Sequence, residues 1–535
     1  MAWDVLVVVL YFAAIISIGL KKGGGEKSLE GYALGNRSIP WWAILASILA
    51  SEISAATFLG APGEGYALRN FTYLQFGIGT ILARYLVGYL FIQPYYRSGV
   101  VSIYEFLEGR FGRWSRGAAS LTFLITRALA SGTRLYVAAI LIVLSIEIFQ
   151  GRTPTPHQEL MIYFFSVIGV VALTALYTTF GGIKAVIWTD LIQAGILVAS
   201  LGATLFVLLR GIPGGWHAAH AMLTAPDDLR LFDTGLTPGA GFWTNVKNIL
   251  EGKRNGLDAE YTLFTAVLAS TFITLATHGT DQDMVQRMLT AKDHESGRRA
   301  VVLSGLIDAP IVFAFLLIGI LMWVFYQLHP DAHLPTTNAH VFAYFILTQL
   351  PPGLRGLLVA GLLATAMGSL STALNALATS FCRDFYLPYF RPNLDDRHRL
   401  GAARGATVFF AVVLTLIGAA TSYAVIQSPS ARILPIVLGV FGYTYGSLLG
   451  LFLIALFTKN RGSDKGNLFA MLCGFIVVAI LSGLPNDVIA LCGGTPLPQP
   501  AWLPVIAFPW RVFFGTVVTT GVGLLFRTRK APSPL

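Results

Sequence analysis

The feature that most limits the fold of this chain is the recurrence of apolar runs close to 20 residues long. Examples are "AWDVLVVVLYFAAIISIGL" at 2–20 and "GATVFFAVVLTLIGAA" at 405–420. A helix crossing the hydrocarbon core of a bilayer needs about 20 mostly apolar residues, because lipid cannot satisfy backbone polar groups. Only 12% of the 535 residues are charged, against about 25% in a soluble protein. The chain therefore reads as an all-α polytopic membrane protein embedded in a lipid bilayer.

Thirteen transmembrane helices are predicted, near 3–20, 40–67, 72–96, 118–147, 160–182, 185–209, 261–282, 300–327, 356–383, 404–426, 432–457, 467–490 and 506–526. Residues 337–351, "NAHVFAYFILTQLPP", are too short to span and are expected to lie on the outer surface. Lys and Arg accumulate in cytoplasmic loops. With the N-terminus outside and the C-terminus inside, 24 of the 37 basic residues fall in inner segments and ten outside. Three (Arg84, Arg127, Arg134) fall within spans. The expected location is the cell inner (plasma) membrane, with the first helix retained rather than cleaved as a signal.

The net charge of +10 is then the inner-loop excess of a membrane protein, and no nucleic-acid partner is expected. Cys382, Cys473 and Cys492 fall in different compartments, so no internal disulfide is predicted. No P-loop, metal-ligand spacing or nucleophile elbow occurs, which argues against an enzyme or an ATP-driven pump.

Beyond an extra first helix (1–39), five spans (40–210) and five more (261–458) flank an outer loop at 211–260, with two peripheral helices and a tail at 459–535. Each five-span half opens with an interrupted helix, "ASEISAATFLGAPGEGY" in the first and "ASTFITLATHGTDQDMVQR" in the second. Five is odd, so the halves run in opposite directions. Matching breaks in inverted halves point to a transporter binding site, since unwound backbone at membrane depth must line a cavity or be buried in protein. The first break is placed at Gly60–Pro62–Gly63, freeing carbonyls for a cation and amides for a solute.

Ionisable groups inside a membrane are costly and point to function. Glu52 lies in the first broken helix, Arg127 and Arg134 share one helix face, Asp190 is near an inner helix end, and Asp308 is two turns into the eighth span. Arg134 reads either as a helix-pairing arginine, a counter-charge for a carboxylate solute, or a partner for Glu52 or Asp308. Asp281, Asp283 and Arg287 read as an inner-gate ion-pair network. Thr365, Ser369 and Thr372 form a hydroxyl stripe on the ninth span, suited to helix packing or to an oxygen shell for a hard cation such as Na⁺.

With "SEISAATFLGAPGEGY", "YEFLEGRFG", "TTFGGIKAVIWTDLIQ", "THGTDQDMVQRMLTAK" and "GSLSTALNALATSFCRDFY", the chain resembles the sodium/solute symporter family over roughly 3–460. That family includes sugar, proline, pantothenate, iodide, monocarboxylate and sialic-acid transporters. The resemblance implies an inverted repeat of five plus five core helices with core helices 1 and 6 broken. It also implies a Na⁺ site from the Ala50, Ile53 and Thr365 backbone oxygens and hydroxyls at 368 and 369. Here those positions are Gly368 and Ser369, so one hydroxyl is missing, to be replaced by water or the Thr365 hydroxyl. Asp190 matches an acidic residue linked to a second Na⁺ site or to ion passage.

Solute positions carried over by the resemblance are Ser54, Thr57, Gln75, Thr274, Thr277, His278 and Asp308, with Arg127 or Arg134 holding a carboxylate. The expected function is Na⁺-coupled symport of a small polar organic solute, such as a sialic acid, a monocarboxylate or a sugar derivative. Na⁺ is the coupling ion, no cofactor is expected, and no oligomeric state is assigned. The alternatives are proton-coupled or uncoupled transport, with Glu52, Asp190 or Asp308 titrating, and a sensor on the same fold.

Overall fold

A computed structural model describes residues 2–23, 25–150, 154–237, 239–250, 257, 260–427, 439–491, 494–495, 497–498, 500, 503 and 506–528. Cys492 lies outside them. Among the described residues nine helices are long and apolar enough to cross a bilayer, and the bent pair Trp41–Glu52 and Ala55–Leu68 makes a tenth span. The predicted spans 160–182 and 185–209 lie within Pro156–Gly211, where two helices meet at a kink at Gly182. Gly182 has φ 54°, and a Cβ there would lie 2.5 Å from the Tyr32 carbonyl oxygen, so only glycine fits this turn. The seventh and thirteenth predicted spans fall on shorter helices, at 265–279 and Trp510–Leu524.

Small residues set how closely the helices approach, since lipid offers no hydrophobic drive between them. The first helix buries Tyr11, Ile15, Gly19 and Gly23, a strict fourfold spacing, against Pro156–Gly211. A Cβ on Gly23 would reach 2.0 Å from the Gly181 Cα. Ala55–Leu68 packs in the same way on His294–Leu328, where Gly65 lies against the Leu316 carbonyl and Gly319 against that of Pro62.

That contact corrects the expected position of the first break. The helix runs through Gly60, Pro62 and Gly63 without interruption, and Gly65 beside them serves packing. The break lies at Ile53–Ser54, both extended (φ −78°, ψ 92° and φ −82°, ψ 169°), and the two helical pieces meet at 66°. In the second half Ser270–Gly279 ends, Thr280 and Asp281 leave helical geometry, and Gln282–Met288 restarts with the Asp281 side chain accepting from the Asp283 amide.

The short helix Asn338–Gln349 lies on the protein as expected, with Phe342 stacked on Phe58 at 5.5 Å. Within the 211–260 loop, the described residues 225–233 cap the end of the first broken helix. Arg69 pairs with Asp228 at 2.8 Å, and the Phe71 amide donates to the Arg230 carbonyl.

Candidate functional site

Between the two breaks lies a cavity of about 500 Å³. Of the sequence-predicted solute residues, Thr57, Arg127, Arg134, Thr274, Thr277, His278 and Asp308 line it, as do Glu52, Ile53 and Asp281. Ser54 and Gln75 do not. The Gln75 amide nitrogen instead donates to the Thr72 and Tyr261 carbonyls, and its oxygen accepts from the Asp233 amide, tying the outer cap down.

On one wall, Glu52 makes an ion pair and hydrogen bond with Arg84, a fully buried arginine that also donates to the Ser304 hydroxyl at 2.8 Å. Asp308 stands 4.0 Å from the same guanidinium. The partner of Glu52 is thus Arg84 and not Arg134. Sequence reasoning counted Arg84 among the span arginines but gave it no role. The available signal was an arginine inside the apolar run "GIGTILARYLVGYLF", which needs a buried counter-charge.

On the facing wall, Arg127 pairs with Asp281 (3.3 Å) and with Asp283, and Arg287 pairs with Asp283 at 3.0 Å. The Tyr445 hydroxyl donates to Asp281 at 2.5 Å. All four carboxylates and arginines of this network are almost fully buried. It holds the second break against the Arg113–Gln150 helix, and uses Arg127 up. Arg134, two turns on, has no ion pair among the described residues, and its guanidinium lies 5.2 Å over the Phe441 ring.

Beside the first break, the Leu354–Ser380 helix presents Gly368. A Cβ there would lie 2.7 Å from Gln193 Oε1, 3.2 Å from the Ala50 carbonyl oxygen and 3.5 Å from Asp190 Oδ1. Only a glycine fits here, and its bare face brings three oxygens of neighbouring helices together. Gln193 Oε1 and Asp190 Oδ1 are buried and accept no hydrogen bond among the described residues, a costly state without a partner. The Ser47 hydroxyl donates to the other Asp190 oxygen at 2.5 Å. Thr365 and Ser369 donate their protons to their own helix, at the Leu362 and Ala366 carbonyls, which leaves hydroxyl lone pairs free to face a cation. An oxygen-only set with one carboxylate fits a hard monovalent cation. Gln193 was missed from sequence. It stands three residues after Asp190, on the same helix face.

The cavity reaches Tyr73, Glu260, Tyr261 and Phe508 at the end covered by the 211–260 segment. Its other end is sealed by buried hydrogen bonds. Gln282 spans the Val101 carbonyl and the Ile103 amide at 2.9 Å each. Gln286 donates to the Ala33 carbonyl and to the Asn375 side chain, and Tyr95 donates to the Gly279 carbonyl at 2.6 Å. The cavity is therefore sealed by these buried hydrogen bonds at the end away from the cap.

Residues 32–474 match the family model described as the sodium:solute symporter family. The sodium/glucose cotransporter of Vibrio parahaemolyticus is 28% identical, over 90% of this chain and 85% of its own. The sodium/sialic acid symporter SiaT of Proteus mirabilis is 27% identical, over 85% and 84%. Sodium-coupled monocarboxylate transporter 1 of Xenopus laevis is 28% identical, over 93% and 74%. The fold is that of a solved Na⁺-coupled sialic acid symporter in a substrate-bound outward-open state, with TM-score 0.77, 23% identity and coverage of 98% and 97%. The match over most of the length, on a chain with two broken helices and a cavity between them, places it in the sodium:solute symporter family.

Proposed function

We propose that the protein carries a small carboxylate-bearing solute across the membrane together with Na⁺. The observation that supports this most is the pair of buried, unpartnered oxygens of Asp190 and Gln193 beside the Ala50 carbonyl. In this reading Na⁺ is held by Ala50, Ile53, Thr365, Ser369, Asp190 and Gln193, and joins the first broken helix to the Leu354–Ser380 helix. The solute carboxylate takes Arg134, the cavity arginine without an anion. Glu52 and its Arg84 partner order the opposite wall, and the Arg127–Asp281–Asp283–Arg287 network keeps the inner side shut until both ligands are bound. Inward Na⁺ movement contributes about 2.3 kcal/mol per charge per 100 mV of membrane potential.

A ligand that binds only the folded protein stabilises it by mass action. A thermal-shift screen of sialic acids, short carboxylates, amino acids and neutral sugars is therefore expected to find stabilising carboxylates whose effect needs Na⁺. Stabilisation that is equal in choline and rises as pH falls would instead favour proton coupling through Glu52, Asp190 or Asp308.

A further inference from the structure

Besides Glu260, exposed at the covered end, pairing of charges around the cavity leaves two groups without a close ionic partner among the described residues. Glu52 is held by Arg84, and Asp281 and Asp283 by Arg127 and Arg287. The remainder are Asp308 and Arg134. The Asp308 side chain is 14% exposed, comes no closer than 4.0 Å to Arg84, and accepts no hydrogen bond among the described residues. Among the described residues Arg134 has only the Phe441 ring.

The two stand on different walls. Arg134 is on Arg113–Gln150, which packs on Pro156–Gly211, Leu354–Ser380 and Asp396–Gln427. Asp308 is on His294–Leu328, which packs on Ala55–Leu68 and Phe76–Leu86. The Asp308 wall also carries an aromatic group. Tyr73, Phe76 and Tyr261 line the cavity with ring centroids 5.4–5.8 Å apart, and the turn that holds Tyr73 packs on the Asp308 helix. His278, also in the wall, has its Nε2 buried without a hydrogen-bond partner, 4.0 Å from Glu52.

Closing the cavity strips water from whatever is not paired, and a bare charge in a dry site is expensive. A neutral polyol would leave both Asp308 and Arg134 bare. A simple anion would satisfy Arg134 and leave Asp308, and a simple cation would do the reverse. A solute with both signs satisfies both, and the faces of Tyr73, Phe76 and Tyr261 suit an ammonium group by cation–π attraction. We infer that the cavity selects zwitterionic solutes, with an ammonium group at Asp308 and the aromatic wall and a carboxylate at Arg134. The inference rests on the cavity being the solute site proposed above.

The test uses the full-length protein in detergent and in proteoliposomes, with pairs of probes that differ only in the positive charge. Betaine is paired with 3,3-dimethylbutanoate, and proline with cyclopentanecarboxylate. In Na⁺, a zwitterion is expected to bind about tenfold or more tightly than its partner, as one direct charge contact would give. Asp308→Asn is expected to bring that ratio to about one, because the counter-charge is gone. Equal or tighter binding of the uncharged partners overturns the inference and leaves Na⁺-coupled carboxylate transport standing. So does a ratio that survives Asp308→Asn, or the failure of every zwitterion to bind. If the variant does not fold, the wild-type ratios decide. If no probe of either kind binds or accumulates with Na⁺, the symport reading itself fails.

Discussion

Replacing Arg127 by leucine is expected to lower stability by about 3–5 kcal/mol and to abolish uptake, the range found when one partner of a buried ion pair is removed. Its guanidinium serves two carboxylates, Asp281 and Asp283, each with a side chain only 1% exposed. Among the described residues Arg287 pairs with Asp283 alone, so Asp281 would keep no cation, only the Tyr445 hydroxyl and the Asp283 amide. The loss is electrostatic rather than steric. Asp281→Asn in the same chain is therefore expected to recover part of the melting temperature, although not transport, because the second break is still untied from Arg113–Gln150. Melting curves in detergent check this. An Arg127→Leu protein that melts with the wild type would show that the network carries no such energy.

The second large effect concerns the cation. Asp190→Asn and Gln193→Leu are each expected to raise the Na⁺ concentration for half-maximal uptake by about 10–100-fold, the range for groups that support a bound metal. Asp190 supplies the formal charge among these donors, and Gln193 supplies the oxygen nearest the vacant side-chain position of Gly368. Gly368→Ser alone is expected to impair Na⁺ binding, since its Cβ would sit 2.7 Å from Gln193 Oε1. Combined with Gln193→Ala, the same serine has room to present a hydroxyl, and part of the affinity is expected to return. Uptake titrated with Na⁺ separates these outcomes. An unchanged half-saturation in Gln193→Leu would remove Gln193 from the site.

How much of this was legible in the sequence depended on the range of the interactions involved. Membrane spans are a property of local apolarity, and each predicted span falls on described helix for most of its length. The second break was legible because Gly279 and Asp281 stand at the interruption itself. The first was displaced because Gly60, Pro62 and Gly63 look like helix breakers. Pro62 is accommodated within the helix, and the adjacent Gly65 meets a neighbouring backbone. The true break, at Ile53–Ser54, has neither glycine nor proline and is set by tertiary packing. The roles of Arg84 and Gln193 were hidden for a related reason. Their neighbours lie 32 residues away (Glu52) and on different helices (Ala50 and Gly368), and no local spacing reports either contact. Ser54 and Gln75, assigned to the solute by resemblance, do not line the cavity, and Gln75 fastens a cap whose position sequence alone does not fix.

The central claim is that the Na⁺ gradient drives solute uptake through the cavity beside Gly368. It is tested most directly in proteoliposomes loaded with choline and diluted into Na⁺ or choline, with a carboxylate identified by thermal shift supplied in radiolabelled form. The account predicts that in Na⁺ the solute rises transiently above its equilibrium level and that Asp190→Asn removes the rise. Equal initial rates in Na⁺ and choline, with no accumulation above equilibrium, would contradict it.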